Sequence, residues 1–130
     1  MRLVDSLKWP VVALIVTGMV HLTAEAIRPD LKNAFTPNTI GPILLAYGIW
    51  VGVRTIDGGA SIAAAVAAGF VVGLLPLMLD VVGFGMLLGR GIDAGLTAGL
   101  FGLLMVAFGS LIGAGYAASG RSRASAANVG

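Results

Sequence analysis

Residues 60–89 read ASIAAAVAAGFVVGLLPLMLDVVGFGMLLG, and this stretch decides the fold class because Asp80 is its only charged residue. A helix needs about 20 predominantly apolar residues to cross the hydrocarbon core of a bilayer. The stretch is longer than one straight crossing, so the helix must tilt, extend past the membrane or bend. Pro76 is the predicted bend, since proline removes a helix hydrogen bond and clashes with the preceding turn.

Three further apolar stretches, at 9–27, 39–56 and 94–117, are long enough to be membrane-spanning candidates. The second is short for a full crossing and requires Arg54 to extend its charged end towards the headgroups. The chain is 58% hydrophobic and 11% charged, whereas soluble domains carry about 25% charged residues. The sequence therefore predicts an all-α integral membrane protein with four transmembrane helices.

An internal repeat relates the two halves of the chain. Residues 41–53 align without gaps on residues 102–114, at an offset of 61. The identical positions are the pairs Gly41 and Gly102, Ala46 and Ala107, Gly48 and Gly109, and Gly52 and Gly113. Self-similarity at one fixed period indicates duplication, here of a two-helix hairpin, with hairpins at 9–56 and 60–117. Because each half has two spans, both halves enter from the same side and the repeat is parallel.

The domain predicted from these features is 1–118, followed by a polar tail at 119–130. That tail consists mainly of Ser, Ala and Arg and has little to bury, so we predict that it is disordered. Lys and Arg set the orientation of the spans. Four spans place both termini on the same side of the membrane. That side carries Arg2, Lys8, Arg54, Arg121 and Arg123, and the opposite side carries Arg28, Lys32 and Arg90. This bias predicts that both termini lie in the cytoplasm. We predict that the membrane is the inner membrane of a bacterium. A first span that stays in the mature protein is favoured over a signal peptide cleaved near residue 26.

Within the four apolar stretches, glycine pairs at four-residue spacing occur five times. Such pairs lie on one helix face and allow another backbone to approach closely. We predict that Gly48, Gly52, Gly109 and Gly113 lie at close helix crossings. Most pairs are expected to pack within the chain. Five pairs exceed what one small bundle needs, which leaves room for contacts in a homo-oligomer or a larger membrane complex.

Four polar residues within the spans are candidates for function: Asp80, His21, Glu25 and Tyr47. Asp80 lies among leucines and valines, where a carboxylate is costly and usually functional. His21 and Glu25 share a helix face and could join Asp80 in a proton relay or a metal site. The favoured interpretation is simpler: both mark the end of the first span, with Arg28 pairing Glu25, and no metal is expected. Tyr47 is expected to hydrogen-bond to a neighbouring helix.

Several classes of function are disfavoured by composition. The chain has no cysteine, which excludes thiol nucleophiles and Cys-based metal sites, and it has no basic patch for nucleic acid. We predict no enzyme activity and no cofactor, and a quinone-site or enzymatic role rests only on His21 and Glu25. The leading hypothesis is a small membrane protein acting through helix–helix contacts, as an accessory subunit or homo-oligomer. The alternative is a small-solute, ion or proton transporter or channel that uses Asp80.

Overall fold

The computed structural model describes residues 3–33 and 37–129, and all regular structure in these ranges is helical. The four long helices are α1 (Leu3–Ile27), α2 (Pro37–Asp57), α3 (Ile62–Met78) and α4 (Ile92–Val129). A short 3₁₀-helix, Pro29–Asn33, follows α1, and a π-helix, Leu79–Leu87, continues α3. Four helical segments are long and apolar enough to cross a membrane: Asp5–Ile27, Asn38–Asp57, Ile62–Leu87 and Ile92–Arg121.

Short local signals delimit the helices. The Ser61 hydroxyl accepts a hydrogen bond of 3.1 Å from the Ala64 amide and caps α3, which satisfies one of the free N–H groups at a helix start. Gly59, before α3, and Gly89 and Gly91, before α4, have positive φ angles. Glycine adopts such angles at little steric cost, so the chain turns at these glycines before α3 and before α4.

The π-helix lies within the long apolar stretch, and it begins three residues after Pro76. Pro76 is buried inside α3 and cannot donate a backbone hydrogen bond. The expected bend at Pro76 stays a prediction, but the regular α pattern does end within one turn of it. Asp80 is the second residue of the π-helix, and π-turns are frequent at functional sites.

The predicted tail is helical rather than disordered in the described part of the chain. Helix α4 continues through residue 119 to Val129, and Gly130 lies outside the described residues. The expectation of disorder from 119 onward is corrected for 119–129. Extending an existing helix needs no new nucleation, and alanine and arginine are good helix formers. Arg121 also bonds the Ile56 carbonyl oxygen at 2.7 Å, which ties this end of α4 to α2.

The core lies where α2, α3 and α4 meet, and small residues allow the close approach. Its buried members include Leu14, Leu44, Val51, Ala68, Val72 and Val106. Helix α1 is the least covered: 17% of its apolar window is buried, against 33–39% for the other three. Near the end of α2, the Arg54 side chain is directed to α1, where its Nε donates a hydrogen bond of 3.1 Å to the Ser6 carbonyl oxygen.

The glycines predicted to lie at helix crossings do lie between α2 and α4. A Cβ on Gly48 would overlap the carbonyl oxygen of Val106, and one on Gly109 would overlap that of Leu45. Gly52 and Gly113 meet the carbonyl oxygens of Ser110 and Ile49 in the same way. Two of the other pairs are also used inside the chain. Gly69 and Gly73 of α3 contact α4, Gly99 of α4 contacts α3, and Gly95 of α4 contacts the π-helix at Asp80 and Val81.

Candidate functional site

A cavity of about 770 Å³ lies among all four helices, near the ends of α1 and the π-helix and the starts of α2 and α4. Most of its lining is apolar. The titratable side chains in the lining are His21, Glu25, Asp80, Arg90 and Asp93. Three of the four predicted polar candidates therefore meet in one cavity, although they come from α1 and the π-helix, which are far apart in the chain.

Glu25 is the most buried of these groups, with a side-chain exposure of 2%. Its Oε2 lies 2.7 Å from His21 Nε2, one turn earlier in α1. Its Oε1 lies 2.6 Å from Nη2 of Arg90, whose side chain is 31% exposed. Glu25 thus joins α1 to the loop before α4, which is distant in sequence, through a charge-assisted hydrogen bond.

The expected pairing of Glu25 with Arg28 is wrong. Arg28 instead pairs with Asp30 at 3.1 Å, and both of these side chains are largely exposed. The reason lies in the local backbone: α1 ends at Ile27, so Arg28 leaves the helix and does not share the buried face of Glu25. Sequence analysis missed Arg90 as the partner, because its contact with Glu25 spans 65 positions.

The loop before α4 positions Arg90. Gly89 and Gly91 both have positive φ, so the chain reverses tightly with Arg90 at its centre. The guanidinium lies 5.3 Å from the centre of the Phe84 ring, within the range of a cation–π contact. His21 contacts the same ring, with 4.9 Å between centroids. Phe84 is a buried platform for the ion pair that sequence reasoning did not single out.

Asp80 is half-buried and lines the cavity on the side of the π-helix. Within the described residues its carboxylate makes no direct hydrogen bond or ion pair. Its backbone is fixed against α4, because a Cβ on Gly95 would lie 2.9 Å from the Cα of Val81. Gly95 therefore allows α4 to approach the Asp80 segment closely.

Tyr47 lies beside the cavity lining and not in it. Its hydroxyl is 2.5 Å from Thr17 Oγ1 and 3.4 Å from the Ala13 carbonyl oxygen. Thr17, which does line the cavity, also donates to the Ala13 carbonyl oxygen at 2.8 Å. The expected hydrogen bond from Tyr47 to a neighbouring helix is thus present, and it attaches α1 to α2.

No group of three His, Cys, Asp or Glu side chains arranged to hold a metal ion occurs in the described part of the chain. The chain matches no protein-family model, no curated protein and no solved structure. What the cavity can do follows from its own chemistry. It combines an apolar wall, one neutralised carboxylate at Glu25, and two carboxylates, at Asp80 and Asp93, that form no ion pair within the described residues.

Proposed function

We propose that this chain is a bacterial inner-membrane transporter or channel that carries a small solute, an ion or a proton through the cavity, with Asp80 as the binding group. The observation that carries the proposal is the Asp80 carboxylate lining an apolar cavity among four candidate spans. Ionisable groups inside membrane bundles are rare, and they face cavities and mark ion or substrate pathways.

The position of the site supports this proposal. Asp80 lies seven residues before the end of the π-helix, so it is on the order of 10 Å from that end at a helical rise. Asp80 is therefore well inside the apolar segment, and the cavity extends from it to the loop that holds Arg90. A permeation pathway needs a connection from its binding group to each side of the membrane. The cavity would provide one of these connections, from Asp80 to the end of the bundle that carries Arg90.

The symmetric contact between α2 and α4 supports duplication of a hairpin. The residues that meet are related by the offset of 61: Gly48 approaches residue 106 as Gly109 approaches residue 45. An exchange of this kind is the pattern of a two-fold related interface. We propose that the two hairpins form a parallel repeat whose axis runs along the membrane normal, as in transporters built from parallel repeats.

The experiment is ion movement in liposomes containing the purified protein. Three probes are followed: protons with an internal dye, radiolabelled sodium, and the radiolabelled organic cation benzyltrimethylammonium. We expect at least one probe to enter faster than into protein-free liposomes, and Asp80→Asn to remove the difference. Asp57→Asn, an exposed acid at the opposite end of the bundle, is the control and should retain it.

Equal rates with and without protein for all three probes would overturn the transport proposal. So would an Asp80→Asn protein that moves a probe as fast as the unaltered chain. Circular dichroism and elution as a single species from a sizing column establish that each variant is folded before its flux is compared.

Assembly with a second copy or a larger membrane complex is the second candidate, and the sparse coverage of α1 favours it. Its outward face carries Trp9, Val12, Val16, Met19 and Val20, all more than 40% exposed. Four of the five glycine pairs, by contrast, are occupied within the chain, the exception being Gly85 and Gly89, where a Cβ on Gly89 would meet nothing within 4 Å. Mass measurement after purification in a mild detergent tests this candidate: a monomer with no companion would contradict it.

A further inference from the structure

We propose that the cavity binds a small organic cation, an amine or quaternary ammonium with an apolar or aromatic body. This inference names the ligand class for the site of the transport proposal, and it rests on that proposal for the ligand's movement but not for its binding. Three properties of the lining support it: its charge, the state of Asp80 and its size.

The charge of the lining excludes an anion as the preferred ligand. The cavity has three carboxylates and one guanidinium, a formal charge of −2 when His21 is neutral. Its guanidinium, on Arg90, is already bound to Glu25 at 2.6 Å and packed on Phe84. No other Lys or Arg among the described residues lines the cavity, so an incoming anion would meet excess negative charge, whereas a cation would be attracted.

Asp80 supplies the specific contact. Its side chain is half-buried and lines the cavity, and its carboxylate has no hydrogen-bond or ion-pair partner within the described residues. A carboxylate removed from water is costly unless a hydrogen bond or opposite charge compensates it. An ammonium group placed at Asp80 would provide that compensation, and it would form the stronger, charge-assisted kind of hydrogen bond if it carries N–H groups.

The remaining walls fit an apolar body. The apolar side chains that line the cavity include Leu14, Ile40, Ile43, Leu44 and Phe101. A volume of about 770 Å³ is within the ~300–1,000 Å³ typical of small-molecule sites and much larger than a bare metal ion needs. Phe101 adds an aromatic ring that can contact a cation, since Arg90 already packs on the ring of Phe84.

Binding to the purified full-length protein in detergent tests the assignment. Radiolabelled benzyltrimethylammonium is measured by equilibrium dialysis against protein-free micelles. Competitors are the unlabelled cation, its neutral isostere neopentylbenzene and the anion benzenesulfonate. We expect only the cation to displace the label. Asp80→Asn should weaken binding roughly tenfold to a hundredfold, because the quaternary ammonium, which has no N–H group, loses its charge–charge attraction to the carboxylate, while Asp57→Asn should leave it unchanged.

A second measurement uses the unaltered protein, so it does not depend on the folding of a variant. Dicyclohexylcarbodiimide modifies carboxyl groups in apolar surroundings, and peptide mass spectrometry reports modification at Asp80. Saturating benzyltrimethylammonium should slow modification of Asp80 severalfold, whereas benzenesulfonate should not.

The inference is overturned if neopentylbenzene displaces the label as effectively as the unlabelled cation does. It is also overturned if folded Asp80→Asn binds the label as tightly as the unaltered protein. Modification of Asp80 that the cation does not slow overturns it as well. The two proposals fail separately. Cation binding at Asp80 without movement of any probe into liposomes removes transport and leaves the ligand class. Proton or sodium flux that depends on Asp80, with no binding of benzyltrimethylammonium, removes the ligand class and leaves transport.

Discussion

Gly48 and Gly109 lie against each other at the crossing of α2 and α4. The backbone of each glycine lies in the space that a Cβ on the other would need. A Cβ built on Gly48 would be 2.9 Å from the Gly109 Cα, and one built on Gly109 would be 3.0 Å from the Gly48 Cα. These residues are related by the offset of 61, the spacing of the proposed internal repeat. The contact is therefore reciprocal, and it holds the two hairpins together by backbone packing, with no side chain between.

The reciprocal contact predicts that Gly109→Ala destabilises the bundle. The added methyl group would overlap the Leu45 carbonyl oxygen, and overpacking of this kind costs about 1–3 kcal/mol. Gly115→Ala in the same helix is the matched control, since a Cβ there meets nothing within 4 Å. Alanine also has the higher helix propensity, so the control should be neutral or slightly stabilising. Unfolding in mixed detergent micelles measures both, and equal stability of the two variants would contradict the packing account.

The ion pair between Glu25 and Arg90 predicts a measurable coupling free energy. Removing one partner leaves the other charge partly buried, so we expect Glu25→Gln and Arg90→Gln each to lower the unfolding free energy by about 1–3 kcal/mol. The double variant should lose less than the sum of the two. Arg28→Gln is the control, because the pair of Arg28 with Asp30 is exposed and such pairs contribute at most about 1 kcal/mol. Additive losses in the double-mutant cycle would show that the pair is not coupled.

The hydrogen bond from Tyr47 to α1 predicts that Tyr47→Phe loosens the attachment of that helix. The change removes the contact with Thr17 and should cost about 0.5–1.5 kcal/mol. Tyr116→Phe deletes the same hydroxyl from a tyrosine that is 78% exposed, and it should have little effect. Hydrogen exchange of the α1 amides is the direct readout. Unchanged exchange in Tyr47→Phe would assign the attachment of α1 to apolar packing alone.

The distribution of Lys and Arg predicts the orientation of the bundle in the membrane. Reporter fusions after Gly58 and at Gly130 should both report the cytoplasm, and a fusion after Lys32 the opposite side. Arg54 and Arg121, both assigned to the cytoplasmic side, contact neighbouring helices through the carbonyl oxygens of Ser6 and Ile56. A fusion at Gly130 that reports the far side would overturn the four-span orientation.

The proposed repeat relates residues of the α2–α4 packing but not those of the cavity. At the offset of 61, His21 corresponds to Val82, Glu25 to Met86 and Asp80 to Met19. These three titratable groups therefore have no titratable counterpart in the other half of the chain. The glycines that bring α2 and α4 together occur at matching positions in both halves, whereas the polar site belongs to one end of the bundle.

The sequence by itself determined the helical class, the four apolar spans and the glycines of the α2–α4 crossing. The physical reason is that span length, low charge and four-residue glycine spacing are local properties, and they act through one helix at a time. It also singled out Asp80, His21 and Glu25, since a charged group in an apolar run is visible without any knowledge of its neighbours.

Only the tertiary structure decided which charges meet. Arg28 is three positions from Glu25, yet Arg90 pairs with it, because the end of α1 at Ile27 directs Arg28 away while the turn at Gly89 and Gly91 brings Arg90 in. The packing of the π-helix on Gly95 placed Asp80 in the same cavity as Glu25. Contacts across more than fifty positions depend on how the helices cross, and helix crossing is a property of the assembled bundle rather than of any one segment.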